Sequence, residues 1–75
     1  MDAKFEKKKL NRIKVVLVEE NRTGRWLADQ LGKDPVTVSK WCTNTTQPDL
    51  YTLDKIATLL GRPIKDLISN KEELN

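Results

Sequence analysis

Residues 34 to 41 read DPVTVSKW, and the side chains able to do chemistry there are small ones. Asp34 is placed to cap a helix, and Pro35 stands in the first-turn position that proline favours. Helical spacing turns Val38, Trp41 and Cys42 inward and leaves Val36, Thr37, Ser39 and Lys40 outward. Soluble helices commonly cover their outer face with Glu and Lys. This one offers methyl groups, hydroxyls and one ammonium, with no acid after its cap. Such a face suits contact: hydrogen bonds, methyl packing and attraction for an anion. The same face also fits an ordinary short helix of a bundle. Bond-breaking chemistry finds no support. There is no histidine, the commonest general base and metal ligand. Cys42 falls at an inward position with no base beside it to make a thiolate. No Gly-rich phosphate loop or metal-ligand spacing occurs. The expectation is a protein that is not an enzyme, with no metal and no cofactor.

Charge and composition bound what such a face could meet. A chain of 75 residues makes one domain with a small core. Its 33% charged and 37% hydrophobic residues suit a compact soluble protein. No run of about 18 apolar residues is present to span a bilayer. The start, MDAKFEKKKL, lacks the apolar stretch of a secretory leader, and a lone cysteine fits a reducing compartment, so the expected location is cytoplasmic. Without secretion, the N-x-T sequences at Asn21 and Asn44 count as chance matches to a glycosylation signal. The net charge of +3 is unevenly spread. Residues 1–47 hold ten Lys and Arg against six Asp and Glu, whereas residues 48–75 hold four against five. The N-terminal two-thirds is the part suited to an anionic partner, although many small domains without one look similar.

The elements that must position this face all read as helices. From Lys8 to about Glu20, Leu10, Ile13 and Leu17 share one helical side. The β-branched run VVLV at 15–18 admits a strand, but no second such run exists to pair with it, so helix is preferred. Thr23 can cap GRWLADQL, with Leu27, Ala28 and Leu31 inward and Gly32 as a stop. After the helix from Pro35 to about Thr43, the polar NTTQPD reads as a loop. Asp49 can cap a fourth helix carrying Leu50, Leu53, Ile56, Ala57 and Leu60, ended by Gly61. Pro63 opens a short fifth helix with Ile64, Leu67 and Ile68 inward. The expected fold class is all-α, a compact five-helix bundle, with a basic arm or helix extension at 1–9, a folded domain at 10–68 and a polar tail at 69–75. Two short helices joined by three or four residues, the first ending at glycine, form a helix-turn-helix unit, though any small helical bundle holds such a pair.

LADQLG at 27–32, VSKW at 38–41, QPDLYTLDKIATLLG at 47–61 and IKDLI at 64–68, in this order and spacing, resemble the Cro/CI-type (XRE-like) helix-turn-helix DNA-binding regulators. The resemblance runs from about Leu10 to Ile68 and implies a lambda-repressor-like architecture whose third helix enters the major groove of double-stranded DNA. There are three departures. Gly24 stands where members often carry a backbone-contacting Gln. Leu17 and Cys42 stand where many carry a partly buried Arg–Glu pair, and an apolar pair can replace such ions without loss. Asn44 replaces a common Gly, and Asn best tolerates a left-handed turn.

On that reading Pro35, Val36, Thr37, Ser39 and Lys40 are the base-reading candidates: Val36 toward a thymine methyl, Lys40 toward guanine O6 and N7. Phosphate contacts are expected from Thr23, Gly24 and Arg25 at the second helix start, from Lys33, and from the loop Thr43, Asn44, Thr45, Thr46 and Gln47. An equal alternative has Thr23 as a cap alone and the loop as a turn alone. The lysines at 4, 7, 8 and 9 either follow the DNA or form a solvated extension. Trp41 is expected in the core, Trp26 packed or meeting a partner, and Val15 and Val18 either packed or part of a contact surface. The expected function is a transcriptional repressor acting as a homodimer on a palindromic site. The alternative is an antitoxin or other protein-interaction module whose partner is a toxin or co-regulator. RNA binding lacks the aromatic stacking surface it requires.

Overall fold

A computed structural model of the protein describes residues 9–69, so the expected arm (apart from Lys9) and tail (apart from Ser69), with Phe5, lie outside the described residues. Four α-helices and a turn of 3-10 helix follow one another: α1 Ile13–Glu19, α2 Gly24–Leu31, α3 Pro35–Cys42, α4 Leu50–Leu60, then Ile64–Leu67. The architecture is all-α, and VVLV is helical, within α1.

Three starts follow from local chemistry. Thr23 Oγ1 accepts the Trp26 N–H at 3.0 Å, Asp34 Oδ1 that of Val36 at 2.8 Å, and Asp49 Oδ1 that of Thr52 at 2.8 Å. The four helix ends share one solution. A residue with positive φ (Asn21, Gly32, Asn44 or Gly61) turns the chain left-handed. The next N–H then reaches back five residues: Arg22 to Leu17, Lys33 to Ala28, Thr45 to Lys40 and Arg62 to Ala57. Both N-x-T asparagines are therefore helix stops.

The core gathers Ile13, Val16 and Leu17 of α1, Leu27 and Ala28 of α2, Val38 and Trp41 of α3, Leu53, Ile56, Ala57 and Leu60 of α4, and Leu67. Trp26, Leu31, Cys42 and Ile64 pack against it partly buried. α2 and α3 pack closely on one another, and α4 on the 3-10 turn.

Four expectations need correction. The fifth helix is only a 3-10 turn, with Asp66 N–H bonded to the Pro63 carbonyl, three residues back. Ile68, expected inward, is 45% exposed because its backbone forms an antiparallel bridge with Asn11. The first helix starts at Ile13 rather than Lys8, and Leu10 lies on the outside of an extended segment held by Arg12 N–H to Leu67 O and Ser69 N–H to Leu10 O. Leu50, expected inward, opens α4 at 71% exposure: the buried stripe of α4 begins one turn later, at Leu53.

Candidate nucleic-acid interface

α3 presents the side that the sequence picks out. Pro35, Val36, Ser39 and Lys40 are exposed and Thr37 is half-buried, while Val38 and Trp41 are buried beneath. Val36 is 61% exposed, which leaves this branched apolar side chain open to contact. No acid follows Asp34 along the helix, and Asp34 itself is engaged by the Val36 N–H.

At the start of α2, Thr23 caps, Arg25 is exposed and Gly24 is half-buried against α3. A Cβ at Gly24 would lie 3.8 Å from Val38 Cγ1 and 3.9 Å from Cys42 Sγ, both ordinary contacts. The glycine is therefore not demanded by packing. Its effect is to leave the α2 start without the longer polar side chain that the regulators it resembles often carry there. Arg22 lies over the Trp26 ring, 4.5 Å from its centroid, and covers a tryptophan that is partly buried against the core.

The loop after α3 divides in two. Thr43, Thr45 and Thr46 are exposed, and the Thr43 hydroxyl bonds the Ser39 and Lys40 carbonyls and pairs with Thr45 Oγ1 at 2.8 Å. Asn44 is 8% exposed. Its Oδ1 accepts the Asn11 N–H at 2.9 Å and its Nδ2 donates to the Asn11 carbonyl at 3.1 Å. Asn11 Nδ2 in turn donates to the Trp41 carbonyl and to Gln47 Oε1, and Gln47 Nε2 donates to Asn44 Oδ1. The amides of Asn44 and Gln47 thus hold the loop's shape and face Asn11, leaving the three threonines as its exposed hydroxyls.

Asn11 is the residue sequence reading missed. The expected helix from Lys8 ran through it and gave it no role of its own. The usable signal was an Asn two residues before the first buried residue, where its Oδ1 accepts the Ile13 N–H and starts the helix. Cys42 is half-buried, and burial pushes its thiol up while the nearby Lys14 pulls it back. Among the described residues no group of His, Cys, Asp and Glu is arranged to hold a metal ion, and no helix is long and apolar enough to cross a membrane.

A helix-turn-helix family model matches residues 13–67. Among solved structures, the chain is similar to a protein of Bacteroides fragilis described as a "putative DNA-binding protein", with 55% identity, a TM-score of 0.79, and coverage of 80% of this chain and 97% of that one. No curated protein matches.

Proposed function

Because the chain belongs to the Cro/CI-type (XRE-like) helix-turn-helix family, we propose that it is a sequence-specific regulator of transcription that binds double-stranded DNA. The observation that carries this reading is the outer side of α3, small, weakly polar and free of acid, set beside the start of α2. Val36, Ser39 and Lys40 read base edges, with Pro35 and Thr37 allowing close approach. Thr23, Gly24 and Arg25 meet phosphates at the α2 start, and Lys33, Thr43, Thr45 and Thr46 add contacts on either flank of α3. Asn44 and Gln47 act by shaping the loop, since their amides are engaged with Asn11. One module of this size buries roughly 600–1,000 Å² on DNA, so the working form is a homodimer on a palindromic site, where occupancy represses. Its place is the cytoplasm, and binding needs neither cofactor nor catalysis.

The test is selection from a randomised duplex pool, with binding followed at two salt concentrations. An enriched inverted repeat is expected, and salt-sensitive binding with no enrichment would reduce the protein to a general duplex binder. Lys40→Ala should cost about 1–3 kcal/mol on the selected site and relax base choice at one position. Unchanged binding of that variant would mean the wrong side of α3 has been assigned.

A second reading has one observation in its favour. Val15 and Val18 are 42% and 61% exposed along α1, a surface open to a protein partner such as a toxin or co-regulator. A failure to bind any duplex at low salt would move the function there.

A further inference from the structure

A hollow of about 240 Å³ lies between the segment before α1 and the end of α3. Lys9, Arg12 and Lys14 line it with Val15, Thr43 and Asn11, and among the described residues no acid lines it. The acids at the other end of α1, Glu19 and Glu20, are bound there by Arg62. Arg12 is tethered through Nη1 to the Asp66 carbonyl at 3.4 Å. Lys9 and Lys14 are exposed, on stems that can adjust to a compact anion.

Two features connect this hollow to the proposed DNA-reading side. Thr43 stands four residues after Ser39 and seven after Val36, so it continues the same outer stripe of α3. It also bonds the Ser39 and Lys40 carbonyls. Asn11 lies between the two lysines in sequence, and its backbone N–H and carbonyl are both bonded to Asn44 while its Nδ2 holds the Trp41 carbonyl. The backbone at Asn11, between the two lysines, is thereby held in register with the end of α3 before any ligand arrives, which lowers the cost of ordering this segment on binding.

We propose that Lys9 and Lys14 hold one backbone phosphate of duplex DNA just beyond the base pairs that α3 reads. The proposal rests on the DNA-binding reading of α3 and adds a contact supplied by another part of the chain. It makes the footprint longer than α2, α3 and their loops alone would give.

The test compares the wild type with Lys9→Ala/Lys14→Ala on the selected duplex and on the same duplex trimmed at its ends, over a range of salt. The double variant should melt like the wild type, both side chains being exposed. On the long duplex its slope of log K against log salt should be shallower by about 0.9 for each phosphate given up. Trimming should weaken the wild type and leave the variant unchanged. Equal losses on both duplexes would assign the lysines to the general field of the protein and overturn the site, as would unaltered binding. Capture of polyglutamate by the wild type alone, with full DNA affinity kept by the variant, would give the hollow to an acidic protein instead. If the wild type binds no duplex at all, the reading of α3 fails and this site fails with it.

Discussion

At the start of α1 the fastening is neutral and buried: Asn11, 7% exposed, and Asn44, 8% exposed, exchange two hydrogen bonds and share Gln47. At the other end it is charged and open to water, where Arg62 reaches Glu19, Glu20 and Asp66, each at 2.9 Å. Both clusters join α1 to distant parts of the chain, yet their energetics differ. Amides removed from water must keep their partners, because an orphaned buried donor costs about 1–3 kcal/mol. Ions at the surface keep much of their hydration when separated, and salt screens what attraction remains. The buried cluster therefore fixes a geometry, that of the loop after α3, whereas the exposed one adds an adjustable attraction. The residues proposed to meet DNA stand beside the rigid cluster.

The contrast can be broken most readily at Asn44. Asn44→Ala removes the acceptor of the Asn11 N–H and puts a Cβ-bearing residue without a helpful amide at φ 60. The two losses together should cost about 2–5 kcal/mol in chemical denaturation. The loss should be the same at low and high salt. Asn44→Gly keeps the turn and loses only the amide, so its cost should be smaller, about 1–3 kcal/mol. The gap between the two variants measures the backbone contribution. Equal costs would mean that the hydrogen bonds, not the turn, hold this loop.

Arg62→Gln should lower the melting temperature by less than either change at Asn44, and the deficit should shrink as salt is added. A deficit that persists at high salt would place Arg62 with the buried cluster and erase the difference between the two ends of α1. The smallest effect is expected at Asp49, where hydrogen bonds from Thr52 hold the carboxyl below its ordinary 3.8. A carboxyl lowered on folding stabilises the protein above its unfolded value and loses that contribution as pH falls through the folded one. Asn also caps well, so Asp49→Asn should match the wild type in acid and fall slightly below it at neutral pH. An identical pH profile for the two proteins would show that the charge of the cap adds nothing.

What was legible in the sequence was local. Thr23, Asp34 and Asp49 cap within three residues of themselves, and Gly32 and Gly61 stop their helices where the next residue closes the turn. Asn44 was legible as a left-handed residue for the same reason. The start of α1 was hidden because Asn11 is held by Asn44, Trp41 and Gln47, all at least 30 residues away. Leu50 misled because helical periodicity fixes a side of a helix but not where along it the neighbouring elements begin to cover it. The end of the chain misled similarly: Ile68 continues the apolar spacing of Ile64, yet its backbone is drawn off into a bridge with Asn11. For the candidate site, types and spacing located the outer side of α3, while the division of its loop into exposed threonines and amides engaged around Asn11 required the position of Asn11.

The bridge between Asn11 and Ile68, with the bonds Arg12 to Leu67 and Ser69 to Leu10 beside it, has an architectural consequence. It brings the two ends of the folded unit side by side and antiparallel. A unit whose ends meet can be spliced into a surface loop of another protein without prising its host apart. Grafted in this way, it would carry its α3 surface on a stalk of two adjacent antiparallel tethers, a portable module rather than a bead on a string.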